Sequence, residues 1–158
     1  MIDDDNPLTV YLSGEIHTEW RDEVIDGCEE EDLPVEFTAP VTEHASSDAC
    51  GTTILGDEKS SFWGDHKGAK INAIRTRLLL ERADLVVVRF GDKYKQWTAA
   101  FEAGVAVSDG TPIITLHDES LDHALKEVDA AALAVARTTA QVVELLRYVT
   151  EGELTEAE

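Results

Sequence analysis

A chain of 158 residues, 43% hydrophobic and 29% charged, is long enough for one domain with its own core and too apolar for a disordered segment. Thirty-three acids against 13 bases give a net charge of −20, a field that repels nucleic acid and anionic membranes and so excludes both as partners. No apolar run approaches the roughly 18 residues of a membrane span, and Met1-Ile2-Asp3-Asp4-Asp5 has no signal-peptide character, so a cytoplasmic location is expected.

The two cysteines, Cys28 and Cys50, lack metal-ligand spacing and read as idle thiols. Acids are not confined to the ends of the chain: Glu19, Asp22, Glu23, Asp26, Glu29, Glu30 and Glu31 line one predicted helix, and only six lysines occur. Self-repulsion of this size destabilises a fold in dilute buffer, whereas molar salt shortens the Debye length to about 3 Å. The composition therefore predicts adaptation to a halophilic cytoplasm.

In chain order, Leu8 to Ser13 is a β-branched and apolar run that reads as a first strand ending at Gly14. Val24, Ile25 and Cys28 recur at helical spacing, which predicts a helix from Thr18 to Glu31, and Val35 to Thr38 reads as a short strand. Residues Ala39 to Asp65 show little periodicity and are expected to form a long loop, of the kind that is usually functional or mobile. Ile71, Ile74, Leu78 and Leu79 recur at helical spacing and predict a helix from Lys67 to Arg82. Leu85 to Val88 is continuously apolar, the mark of a central strand covered on both faces.

A helix from Trp97 to Ser108, a strand from Pro112 to Leu116, a strand from Ala132 to Ala136 and a helix from Ala140 to Val149 complete the pattern. Strands and helices alternate, which predicts a three-layer, doubly wound α/β fold of flavodoxin/Rossmann type. Its five-stranded parallel sheet is expected in the order 2-1-3-4-5. Residues 1–150 form one domain on this reading, and 151–158 an acidic frayed tail. Ligands of such sheets bind beyond the carboxyl ends of the strands where the order reverses, which places Gly14 to Thr18 and Gly91 to Gln96 on one rim.

Chemistry is concentrated in few places. Glu102 is the single charged residue of the Trp97–Ser108 helix, and burial of an unpaired carboxylate there costs several kcal/mol or raises its pKa. It is a candidate nucleophile or general base; periodicity alone gives even weight to a Glu on the one exposed stripe. The loop Gly91 to Trp97 offers Asp92 to orient a hydroxyl and Tyr94 or Trp97 to stack on a ring. In the first rim loop Gly14 allows close backbone approach to a ligand, with Glu15 and His17 as candidate contacts, although such residues more often serve the loop itself.

Between Lys67 and Lys95 lie eight bases against three acids. Most of these bases are expected to pair with acids elsewhere. Arg75 is the candidate contact to a ligand phosphate. His44, His66, His117 and His123 show no metal spacing, and no serine nucleophile elbow occurs, so neither a metal nor any other cofactor is expected.

The segments Tyr11-Leu12-Ser13-Gly14, Ala83 to Val88, Thr98 to Ala106 and Gly110 to Ile114 together resemble the nucleoside 2-deoxyribosyltransferase superfamily. Tyr11 to His17, Trp20-Arg21-Asp22, Ile71-Asn72, Leu78 and Phe90 to Trp97 look more closely like the YtoQ family within it. The resemblance implies a nucleoside or nucleotide ligand, with Glu102 attacking the glycosidic carbon and water or a second base resolving the ester, the logic of a retaining glycosidase. It further implies that Tyr11 and Gly14 line the sugar pocket, that Asp92 serves near the base, and that the protein is a homo-oligomer. Arg75-Thr76-Arg77 stands where the transferases carry an aspartate, and Gln96 where they carry the acid that handles the base. These departures turn the expectation toward hydrolysis, or toward a non-catalytic nucleotide-binding or sensing protein.

Overall fold

The computed structural model describes residues 2–154. Five parallel strands stand in the order β2-β1-β3-β4-β5, as expected: β1 (Leu8–Gly14), β2 (Val35–Thr38), β3 (Leu85–Arg89), β4 (Ile113–Leu116) and β5 (Ala134–Ala136). The helices are α1 (Trp20–Glu30), α2 (His44–Leu55), α3 (Ser61–Arg82), α4 (Trp97–Ser108), α5 (Asp122–Ala131) and α6 (Thr139–Glu151), with a 3₁₀ turn at Glu119–Leu121 before α5.

Alternation along the strands builds two cores. Val10, Leu12, Leu85, Val87 and Leu116 point to one face and pack with Trp20, Val24, Val142 and Leu146 of α1 and α6. Tyr11, Val86, Val88 and Ile113 point to the other and meet Leu80, Ala99, Ala103 and Ala106 of α3 and α4. Because both faces are covered, β3 must be apolar at every position up to Val88, and each such side chain contributes about 1.5–3 kcal/mol on burial. Among the described residues no helix is long and apolar enough to cross a membrane.

Two expectations fail. Residues 39–65 are not one loop: α2 occupies His44–Leu55 and α3 begins at Ser61, six residues before the predicted start. The two helices cross where Gly51 faces Gly68. A Cβ on Gly51 would lie 2.4 Å from the Gly68 amide nitrogen, and one on Gly68 would lie 2.9 Å from the Asp48 carbonyl oxygen. Asn72 fastens the crossing by donating to both the carbonyl and hydroxyl oxygens of Ser47, each at 3.0 Å. Contact made through bare backbone leaves no apolar period to read. Gly51→Ala is expected to force the pair apart and cost about 1–3 kcal/mol, read as a lower melting temperature.

The second is α5, which lies in a segment with no predicted element. On α3, Ile74 and Leu78 are exposed while Leu80 turns inward. Of the expected acidic tail, Glu151 closes α6 against a left-handed Gly152, and residues 155–158 lie outside the described residues.

Candidate functional site

β1 and β3 run side by side to the rim where the strand order reverses, with Gly14 in register with Arg89. Gly14 sits at φ 107°, and a Cβ there would fall 2.1 Å from the Arg89 carbonyl oxygen. The glycine is thus required by backbone crowding inside the sheet. Glu15 follows, its amide donating to the same carbonyl at 3.0 Å.

Glu102 projects from the sheet-facing side of α4 and is only 5% exposed. Of the described acids just two are buried, Glu15 and Glu102, and Glu102 alone of the two lines a cavity. The Ser13 hydroxyl donates to its Oε2 in a short hydrogen bond. Tyr11, two residues back on the same strand face, is fully buried; its hydroxyl sits beside Glu102 and Thr76 without completing a well-aligned hydrogen bond. Burial pushes the Glu102 carboxyl above the ordinary glutamate range, opposed by the Ser13 and Tyr11 hydroxyls and by the charge of Arg21. Burial, and then the Glu102 charge, push Tyr11 well above the ordinary tyrosine range, so the phenol keeps its proton.

The cavity has a volume of about 570 Å³, within the range of small-molecule sites. Its walls come from α2 (Ser47, Asp48), α3 (Asn72, Arg75, Thr76) and α4 (Phe101, Glu102). Arg75 is exposed at its edge, with Nη2 donating to the Ala39 carbonyl at 3.2 Å. Placement of α2 explains why residues 39–65 have little periodicity yet matter: one side of the helix is cavity wall.

Of the candidates, Arg75 and Glu102 line the cavity, and Tyr11 is buried beside Glu102 behind its wall. Gly14 and the remaining candidates do not line it either. The Glu15 carboxylate is spent on its own turn, accepting from the His17 amide and the Thr18 hydroxyl. His17 lies 4.7 Å, ring to ring, from Tyr94. Asp92 is exposed on the loop before α4, and Trp97 is 73% exposed at the start of that helix. Gln96, standing where an acid was sought, accepts from the Gly91 amide at 3.2 Å and closes the 91–96 loop.

Sequence reasoning missed four contributors: Ser13, Arg21, Asn72 and Thr76. Ser13 was legible, since it shares a strand face with Tyr11. Arg21 was not, because an arginine in an acidic helix reads as surface. It also missed a cluster at the end of β4, where His117, Asp122 and Asp129 place donor atoms within 4.8 Å of one another. These groups are already engaged: His117 Nε2 lies 3.0 Å from both Asp129 oxygens, Thr115 donates to Asp129 at 2.8 Å, and Arg137 meets Asp122 at 2.5 Å. They tie α5 and β5 to β4. Cys28 is buried, which pushes its thiol up to about 12, and it stays inert.

Comparison with known proteins agrees with this architecture. The solved structure of a conserved protein from Enterococcus faecalis V583 superposes with a TM-score of 0.63 at 14% identity, over 90% of this chain and 99% of the other. A 2-deoxyribosyltransferase from Bacillus psychrosaccharolyticus superposes with a TM-score of 0.52 at 17% identity, over 85% and 90%. By sequence, the chain is 40% identical over 144 residues to the uncharacterized protein YtoQ of Bacillus subtilis (strain 168), covering 91% of this chain and 97% of that one. The family described as nucleoside 2-deoxyribosyltransferase YtoQ matches residues 11–150, which spans all five strands except the first three residues of β1. This chain belongs to the YtoQ family.

Proposed function

We propose that the protein is an N-glycosidase or deoxyribosyltransferase-like enzyme that cleaves the N-glycosidic bond of a nucleoside or nucleotide, with Glu102 as nucleophile. One observation carries this reading: Glu102 is the buried acid of a cavity large enough for a nucleoside, positioned by a serine and neighboured by a tyrosine that keeps its proton. The family description adds to it.

In the first step a Glu102 oxygen bonds to the anomeric carbon as the bond to the base nitrogen breaks. The bond's electrons leave with the base, which takes up a proton from solvent. Oxocarbenium character at the sugar is favoured by the nearby carboxylate, and the product is a glycosyl ester. Water then attacks the same anomeric carbon, the bond to the Glu102 oxygen breaks with its electrons returning to the carboxylate, and the proton lost by water passes to solvent; the nitrogen of a second base in place of water gives transfer. Ser13 holds Glu102 by its Oε2, and the Tyr11 phenol keeps its proton beside it. Asp92, exposed and outside the cavity, has no part in this scheme. Incubation with 2-deoxynucleosides and their 5-phosphates in molar KCl, followed by chromatography for free base, tests it.

Arg75 at the cavity edge supports a nucleotide over a nucleoside as the ligand. Arg75→Gln is expected to weaken a nucleoside 5-phosphate by about 10–100-fold, the worth of one charge-assisted hydrogen bond, and to leave the unphosphorylated nucleoside unchanged in calorimetric titration.

A non-catalytic nucleotide-binding or sensing role is the second reading. It is favoured by the absence of another buried acid in the cavity, among the described residues, to protonate a departing base. It predicts heat of binding without product. The first reading also includes a homo-oligomer, for Ile74 and Leu78 on α3 and Trp97 and Phe101 on α4 leave large apolar side chains exposed on one pair of helices. Light scattering on Phe101→Glu, expected to yield a smaller species than the parent chain, checks that part.

A further inference from the structure

Arg21 is buried, 7% exposed, and is the single buried base among the chain's 13. It forms no ion pair among the described residues; its guanidinium is held by backbone instead. Nε donates to the Leu12 carbonyl at 3.0 Å, Nη1 to Glu15 at 2.6 Å and Nη2 to Gly14 at 3.1 Å. Trp20 supports it from beside, with the guanidinium carbon 4.7 Å from the ring centre and the indole N–H donating to the Glu15 carbonyl at 2.8 Å. The three carbonyls bracket Ser13, the residue that donates to Glu102.

A helix this rich in acids has no local reason to sink its one arginine. Burial of a cation costs several kcal/mol unless hydrogen bonds satisfy it, as the three carbonyls do here, and a buried anion lowers the cost further. The buried anions at hand are Glu15 and Glu102, both within reach of its field. Glu15 is already satisfied by its own turn, while Glu102 has one serine and an unaligned tyrosine. The charged and titratable groups facing Glu102 are Tyr11 from β1, Arg21 from α1, Asp48 from α2, and Asp65, Arg75 and Arg77 from α3. Those from α2 and α3 are exposed and screened by solvent, so Arg21 is the one cation that acts through a dry interior.

We propose that Arg21 is the positioning residue of this site: it clamps the carbonyls of Leu12, Gly14 and Glu15 so that Ser13 meets Glu102, and it supplies the buried positive charge that accompanies the Glu102 carboxylate. The proposal rests on Glu102 being the working acid. It explains why a polar clamp rather than an apolar residue closes the β1–α1 turn, since an apolar substitute would leave three carbonyls unpaired and the carboxylate without a counter-charge.

The test reads ionisation of Glu102 directly, by pH-difference infrared spectra from which the Glu102→Gln spectrum is subtracted. Arg21→Gln should move the Glu102 transition upward in pH. The acidic limb of base release should move with it, so that release lost on the acid side is regained at higher pH, which loss of structure alone would not produce. Arg21→Lys keeps the charge and should leave the transition near that of the parent while lowering the melting temperature. An unmoved transition in folded Arg21→Gln overturns the proposal, as does a shift in Arg21→Lys as large as in Arg21→Gln. If Arg21→Gln does not fold, Arg21→Lys decides: an unmoved transition supports the link and an upward one refutes it. Since the infrared signal requires no substrate, the link can hold while base release proves absent, and the two failures stay separate.

Discussion

Glu102→Gln is expected to abolish base release by about 10³-fold or more while making the protein more heat-stable near neutral pH. Loss of turnover follows from loss of the nucleophile, since an amide oxygen is a far poorer one than a carboxylate. The gain in stability follows from proton linkage. Burial raises the folded-state pKa of Glu102 above its unfolded value, so in the window between the two the folded chain binds more protons and stability falls as pH rises.

Below the unfolded value the carboxyl is neutral in both states and the penalty is absent; above the folded value it is fully present. Melting curves of the two proteins should therefore coincide at pH 4 and separate at pH 7–8, with Glu102→Gln higher. For a chain of this length each kcal/mol recovered is worth about 2–4 °C. The same ionisation places the acidic limb of the rate profile above the ordinary glutamate range. Equal melting temperatures at both pH values, or unchanged turnover, would remove Glu102 from the role given to it.

Salt dependence should be the other large effect. We propose that the protein is adapted to molar salt, on the ground that of its described acids all but Glu15, Glu102 and the half-buried Asp129 are exposed. At 0.1 M salt the Debye length of about 10 Å lets acids on neighbouring turns and elements repel one another; at molar salt about 3 Å isolates them. Relief of self-repulsion on this scale is on the order of a few kcal/mol, and at about 2–4 °C per kcal/mol the melting temperature should rise by roughly 10 °C between 0.1 and 2 M KCl. Surface pairs such as Arg77 with Glu81 lose strength over the same range, but each is worth under about 1 kcal/mol and cannot reverse the sign. Far-UV circular dichroism showing full structure in dilute buffer and loss of structure in molar KCl would defeat the idea.

The two effects should be separable at the candidate site. Glu102 and Arg21 are buried and little screened, so added salt should stabilise the fold without moving the Glu102 transition.

Much of this protein was determined by local sequence. The alternation of Leu8–Gly14 and the unbroken Leu85–Val88 run can satisfy their backbone and bury their side chains only as parallel strands with helices on both faces. The order of elements and the rim where β1 and β3 part follow from that. The motifs quoted for the family resemblance lie on these same elements, so family and architecture were legible together.

What tertiary structure alone decided is which side of each helix faces inward. On α4 the large residues Trp97 and Phe101 are exposed and the small residues Ala99, Ala103 and Ala106 are buried, with Glu102 among them. A helix that lies close against a sheet selects small side chains at the contact, so size and hydrophobicity point in opposite directions and periodicity could not separate the exposed Glu102 from the buried one. The Gly51–Gly68 crossing is a contact of backbone with backbone and leaves no apolar signature. Arg21 is paired with carbonyls of a strand that precedes it, and carbonyls are carried by every residue alike. Strands are written in side-chain alternation and so can be read from sequence; the site is built from close backbone approach and buried charge, which exist only once the chain has packed.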